Sequence, residues 1–317
     1  MLCRMRPGRS APALTAAGDA WSLPDLTSLG MRMETSSDCF GDLVDSSSEH
    51  ARGQWDDLRA RYEADGYLLL RGLLDRDQVV RAGDEIVASL AERGLLDPSS
   101  PARDRVAAHG ASVSNFGFEG EDRRFPDARR LATDGRMRAF YDAFLGSPAR
   151  AFDYLWLRLM APGQATPPHC DIVYMGRGTH ELFTSWIPLS QVTVADGPLM
   201  VLERSHRIAQ IREGYAKMDI DRDGNWRKLK FRHGRLFRGG DYSRNPRRVR
   251  EEFGLRWLTA EFEPGDVVVF SPFTMHGSLD NRSPRFRISI DARYQRAADP
   301  IDERWIGERP IAHSRAE

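Results

Sequence analysis

From residue 150 onwards the chain is a succession of short segments rich in β-branched and aromatic residues, at 152–160, 182–188, 199–202, 256–262, 266–270 and 285–294, broken by Gly, Pro and Asp. No other feature restricts the fold as strongly. Strands this short cannot bury a face alone and must close against one another as a sandwich or barrel. Upstream the periodicity is helical. Trp55, Leu58 and Tyr62 predict a helix over 54–64. A compact apolar run at 66–74 (GYLLLRGLL) reads as a strand. Asp75 with Gln78 then opens a second helix, Val79, Ala82, Ile86 and Leu90 line one of its faces, and Gly94 ends it. Met137, Phe140, Tyr141 and Phe144, closed by Gly146, predict a third. Helices first and strands after favour an α+β fold with a mainly β core over a parallel βαβ sheet. One domain over 51–317 is expected, preceded by a disordered tail over 1–50 that includes a Ser/Asp/Gly-rich stretch at 36–48.

Composition excludes several classes. Lys+Arg and Asp+Glu are equal at 46 each, so there is no overall charge bias towards nucleic acid or a membrane surface. No run of about 18 apolar residues is present to span a membrane. The first residues carry arginines but no sustained apolar stretch, which makes a poor secretory signal. Cys3, Cys39 and Cys170 form no CxxC pair, which argues for a reducing, cytoplasmic setting. The expected partner is a small-molecule substrate, with no nucleic acid and no membrane, and the expected state is a monomer or small homo-oligomer.

Chemistry concentrates in three places. In extended backbone His169 and Asp171 point to the same side, with Cys170 facing away, so both can converge on one ion. An HxD pair alone is more often a surface turn. A third candidate, His276, follows the apolar strand at 266–270, and two histidines with one carboxylate form the facial triad of non-haem Fe(II) oxygenases. Such a triad leaves two positions for a chelating 2-oxo acid and one for O2. Eleven residues on, Arg287 sits in a stretch where Phe286, Ile288, Ile290 and Tyr294 alternate with polar residues. If that polar face points into the barrel, Arg287 and Ser289 share a side and can grip a carboxylate. An equally good reading is a half-exposed strand with salt bridges on its wet face.

These segments resemble the phytanoyl-CoA dioxygenase family of Fe(II)/2-oxoglutarate oxygenases. The matching stretches are 62–74 (YEADGYLLLRGLL), 167–171 (PPHCD), 186–206 (WIPLSQVTVADGPLMVLERSH) and 262–294, in the family's order and spacing. The resemblance implies a double-stranded β-helix (jelly-roll, cupin-like barrel) flanked by helices. It implies His169, Asp171 and His276 as ligands of Fe(II), Arg287 as the partner of the distal carboxylate of 2-oxoglutarate, and Trp186 near that cosubstrate. One departure is Glu203-Arg204-Ser205-His206 in place of the family's Pro-Gly-Ser-His turn, with His206 read as structural. A second is a long insert over 207–254, whose 225–250 stretch has ten Arg or Lys residues against Asp241 alone. Read as a solvated surface, the insert needs no function. Read as a lid, it suits an anionic substrate such as a carboxylate, phosphate or CoA ester. Asn115 and Tyr174 are candidate substrate contacts.

The implied activity is hydroxylation of a small organic metabolite, with release of succinate and CO2. Desaturation, epimerisation or demethylation on the same iron site are the alternatives within enzymology. A non-catalytic jelly-roll sensor of 2-oxoglutarate or metal is the alternative of another class.

Overall fold

The computed structural model describes residues 26–111, 113, 122–223, 229–232 and 235–313. In chain order its strands are β1 (Thr27–Ser28), β2 (Met31–Arg32), β3 (Phe40–Asp42), β4 (Tyr67–Leu70), β5 (Ala149–Ala151), β6 (Trp156–Met160) and β7 (Leu182–Pro188). They continue as β8 (Leu199–Leu202), β9 (Leu229–Arg232), β10 (Arg235–Arg238), β11 (Trp257–Thr259), β12 (Val267–Phe270), β13 (His276–Ser278) and β14 (Arg287–Arg296). The larger sheet runs β4-β12-β7-β14-β5, with β6 also paired to β14, and the smaller runs β13-β8-β11-β3. An isolated antiparallel bridge, His169↔His276, adds the segment around His169 to the smaller sheet beside β13. The expected mixed fold with a jelly-roll core is the one observed.

Period-two alternation decides what each face carries. On β14, Ile288, Ile290, Ala292 and Tyr294 join the core formed with the helices. Arg287, Ser289, Asp291, Arg293 and Gln295 occupy the opposite face and are also buried. β7 follows suit, with Phe183 and Ile187 in the helical core and Trp186 in the barrel core. Helices Trp55–Asp65, Arg76–Glu92, Pro126–Thr133 and Gly135–Leu145 cover the outer face, contributing Leu58, Ile86, Leu90, Leu131 and Phe144 to one cluster. Each such side chain, fully buried, stabilises by about 1.5–3 kcal/mol. Ser185 is tolerated on that apolar face because its hydroxyl meets Tyr141 Oη at 2.6 Å, while Tyr141 stacks on Tyr294 at 4.1 Å. Inside the barrel, Tyr67, Leu69, Trp186, Val201, Leu258 and Phe270 fill one part with hydrocarbon. The polar face of β14 is left to line the rest.

The expected elements sit close to the observed ones. The second helix begins as expected, with the Asp75 carboxylate accepting from the Gln78 backbone N–H at 3.1 Å, and Gly146 closes the third with φ +63°. The strand expected over 66–74 stops at Leu70, because Gly72 takes a left-handed conformation (φ +61°) and the Asp266 carboxylate caps its N–H at 3.0 Å.

The disordered tail expected through residue 50 is corrected for 26–50. β3 adds to β11 in parallel register, Phe40 is buried, and the Asp280 carboxylate accepts from the backbone N–H groups of Leu29 and Gly30 at 2.7 and 3.0 Å. The segment's low apolar content misled: its few apolar side chains, Leu26, Met33, Phe40 and Leu43, are all buried in the core, and backbone pairing to distant strands holds the polar residues between them. Residues 1–25 lie outside the described residues.

Gly66 shows why the helix must end where it does. Its φ is +80°, and a Cβ there would stand 2.3 Å from His206 Nδ1. His206 Nε2 in turn meets the Glu63 carbonyl at 3.0 Å, so the histidine locks the helix end and is structural, as expected. Gly66→Ala is expected to destabilise the protein by about 2–4 kcal/mol, from left-handed strain plus overpacking. The denaturant midpoint checks this. Adding His206→Ala should recover only the overpacking part, and full recovery would show that backbone strain contributes nothing.

The 207–254 insert is tied down at both ends. The Tyr242 N–H donates to the Pro168 carbonyl at 2.8 Å, the Tyr215 hydroxyl donates to the Gly240 carbonyl, and Arg247 and Arg250 reach Glu34 at 3.0 and 2.7 Å. The side chains of Arg227, Lys228, Lys230, Arg232, Arg235 and Arg238 lie outside the described residues.

Candidate active site

His169 lies beside β13 and His276 opens that strand, so their backbone bridge sets the two rings side by side, with centroids 4.1 Å apart. Each ring is oriented from behind. His169 Nδ1 meets the Pro167 carbonyl at 2.8 Å and His276 Nδ1 meets the Thr274 carbonyl at 3.0 Å. Those carbonyls only accept, so Nδ1 carries the proton on each ring and Nε2 presents a lone pair. Both Nε2 atoms face Asp171 Oδ1, at 3.6 and 3.7 Å. Two atoms that each sit about 2.1 Å from an ion can be no more than about 4.2 Å apart, so both pairs can share one. The three ligand atoms all lie within 4.8 Å of one another, and all three residues are buried.

Electrostatics favours the same arrangement. Burial alone would raise the Asp171 carboxyl, but the Arg293 guanidinium beside it holds it well below the usual carboxylate range. Burial and the neighbouring His169 bring the His276 imidazole down to about 3, so it is neutral and free to donate its lone pair. Two imidazole nitrogens and one carboxylate oxygen suit a divalent first-row ion of intermediate softness, Fe(II) among them.

A cavity opens from the two histidines towards Arg287, lined also by Trp186, Thr166, Ser278 and Arg158. Arg287 is 3% exposed, yet among the described residues no carboxylate lies within ion-pair distance of it and its Nε has no hydrogen-bond partner. Burial lowers its guanidinium to about 10, so it stays cationic at neutral pH. Asp291, on the wall of the same cavity, and Asp196 attract it only through space, and a buried cation without a direct ion pair is costly. Trp186 packs against this cation, its ring centre 5.7 Å from the guanidinium carbon. The Ser289 hydroxyl shares the Arg287 face, is fully buried, and also lacks a partner.

Tyr174 stands over the metal side, edge-on to His169 at 5.7 Å. The insert returns against it at Gly240, where a Cβ would fall 2.2 Å from the tyrosine ring. Only glycine lets the insert approach this closely. Asn115 lies outside the described residues. Four groups escaped the sequence reading. Ser278 lines the cavity two residues after His276, and the i, i+2 rule applied to the HxD pair would have found it. Arg293 shares the inward face of β14 with Arg287, so the same alternation would have found it, whereas Arg158 and Thr184 come from β6 and β7 and only the sheet register brings them here.

Comparison with known proteins agrees with the geometry. The family described as Phytanoyl-CoA dioxygenase (PhyH) matches residues 62–289. A 1-deoxypentalenic acid 11-beta-hydroxylase from Streptomyces exfoliatus is 28% identical over 249 residues, covering 75% of this chain and 80% of that protein. Among solved structures, the iron-bound EctD from S. alaskensis superposes with a TM-score of 0.55 at 20% identity, covering 92% of this chain and 94% of that one. The epimerase SnoN, in complex with Fe3+, alpha ketoglutarate and nogalamycin RO, gives 0.53 at 21% identity, covering 79% and 86%. No helix among the described residues is long and apolar enough to cross a membrane. With its family match spanning most of the helical layer, both metal-facing segments and Arg287, the chain belongs to the phytanoyl-CoA dioxygenase family of Fe(II)/2-oxoglutarate-dependent oxygenases.

Proposed function

We propose that the enzyme hydroxylates a small organic acid, with His169, Asp171 and His276 holding Fe(II) and Arg287 gripping the distal carboxylate of 2-oxoglutarate. The observation that carries the site assignment is the buried Arg287, with no direct ion pair among the described residues, at the far end of a cavity that begins at the His169–His276 pair. A planar guanidinium presents parallel donors to a carboxylate, and Ser278, Ser289 and Thr166 offer hydroxyls nearby. Iron and 2-oxoglutarate, when bound, supply oxidative decarboxylation to succinate and CO2 and the oxidising power to break a substrate C–H bond.

The chain's own residues do the rest. The Nδ1 contacts fix both imidazoles before the metal arrives, so little reorganisation is needed on binding. Trp186 and Phe270 wall the cavity with hydrocarbon and keep water from Arg287. That strengthens the charge-assisted contact on which cosubstrate affinity depends. Tyr174 and the Gly240 turn narrow the approach to the metal side and limit which substrate shapes reach it.

Charge supports an acid as the substrate class. The barrel interior holds Arg158, Arg287 and Arg293 against Asp171 and Asp291, a net +1. A divalent metal and a doubly charged cosubstrate cancel each other, so one positive charge is left for a substrate anion to offset. The Streptomyces relative is named for an acid. Cys39 and Cys170, both free and buried, fit the cytoplasmic setting that belongs to this reading. Succinate release should be screened against a panel of carboxylic acids paired with their methyl esters. Acids should couple succinate to a product heavier by one oxygen, and their esters should couple at least about tenfold less well. Equal turnover of acids and esters would contradict the acid assignment. A coupled product of unchanged mass would redirect the reaction to epimerisation.

A further inference from the structure

The two oxygens of Asp171 are not equivalent. Oδ1 faces the histidine Nε2 atoms, whereas Oδ2 accepts from the Thr184 hydroxyl at 2.6 Å and from an Arg293 N–H at 2.8 Å. The donors come from neighbouring strands and are direct cross-strand partners, Arg293 on β14 opposite Thr184 on β7, both facing inward. Asp171 itself lies off the sheets, just ahead of the short helix Ile172–Met175. A carboxylate on a loop is thus pinned by two donors whose spacing the sheet register sets.

Stability does not account for Arg293. It is 1% exposed, and its Nε and second terminal nitrogen have no hydrogen-bond partner. Among the described residues, its side chain's other charged or aromatic neighbours are the Asp291 carboxylate at 3.7 Å and the Trp156 ring, 4.3 Å from its guanidinium carbon. Asp291 is held in turn by Arg158 Nε at 2.5 Å. Replacing a buried ion pair with well-packed hydrocarbon is often neutral or stabilising. An arginine kept here for one hydrogen bond is better explained by what that bond does to the carboxylate.

We propose that Thr184 and Arg293 are positioning residues that keep Asp171 a one-oxygen ligand. With Oδ2 occupied, the carboxylate cannot swing to chelate the metal, and the coordination position that a chelating carboxylate would take stays open. In an octahedral site with three protein ligands, a chelating cosubstrate fills two positions and one remains, so a two-oxygen Asp171 would close the last. This inference rests on Asp171 being a metal ligand, and the test separates the two claims.

Co(II) serves as the probe, added to the full-length chain without 2-oxoglutarate, with affinity and visible spectrum as readouts. Thr184→Val is expected to weaken Co(II) binding about ten- to a hundredfold, the range typical of groups that orient a metal ligand. It should also alter the Co(II) spectrum as the coordination changes, and Thr184→Ser should restore both. Arg293→Met should behave like Thr184→Val, and Arg293→Lys, which keeps a cationic N–H donor but not the planar fork, should recover part of the loss. If Arg293→Met does not fold, the Thr184 pair decides alone. Wild-type affinity and spectrum in Thr184→Val, beside lost binding in Asp171→Ala, would overturn the positioning role and leave the metal site standing. Wild-type Co(II) binding by Asp171→Ala would instead remove Asp171 as a ligand.

Discussion

His276→Ala is expected to bind Fe(II) more than about a hundredfold more weakly than wild type and to release no succinate. Perturbing a group that merely orients a ligand already costs ten- to a hundredfold in metal affinity, so removal of a ligand atom must cost more. His276 also forms the backbone bridge to His169, but through main-chain N–H and carbonyl groups that alanine retains. The variant should therefore keep its fold while losing its metal, and equilibrium dialysis beside a thermal melt distinguishes the two. Full iron content in a folded His276→Ala protein would remove the triad.

The second large effect is at the other end of the cavity. Arg287→Lys is expected to raise the KM for 2-oxoglutarate about ten- to a hundredfold, because an ammonium cannot offer the planar two-bond fork. One charge-assisted hydrogen bond is worth about 1.5–3 kcal/mol, which sets that range. Arg285→Lys is the control. Arg285 pairs with Asp196 at 3.2 Å and is partly exposed, so its replacement should leave the KM within about threefold. The reverse ranking would show that the other arginine holds the cosubstrate.

Arg287 also shows where sequence reasoning reaches its limit. Alternation along 285–294 put Arg287 and Ser289 on one face, and it applied equally to Arg293. What alternation could not say is whether that face meets water or the barrel interior. The answer comes from β6 and β7, which flank β14 on its two edges and build the larger sheet, while the helical layer covers the apolar side. The triad was legible because His276 opens a strand right after the apolar run at 266–270 and Asp171 follows His169 by two residues, so short spacings in the sequence marked all three. Thr184 and Arg158 were not, since each reaches the site only through inter-strand register, which local periodicity does not encode. The segment 26–50 failed for a related reason: the edge strand Phe40–Asp42 is secured by hydrogen bonds to β11 more than 200 residues away in sequence.

The central claim is that this cavity holds Fe(II) and 2-oxoglutarate together, one end on His169, Asp171 and His276 and the other on Arg287. An anaerobic titration of the Fe(II)-loaded protein with 2-oxoglutarate tests it most directly, because a 2-oxo acid chelated to Fe(II) gives a visible charge-transfer band before any substrate or O2 is added. Wild type should develop that band saturably, His276→Ala should not develop it, and Arg287→Lys should develop it only at about ten- to a hundredfold higher 2-oxoglutarate. Absence of the band in wild type, or its unchanged titration in both variants, would contradict the account.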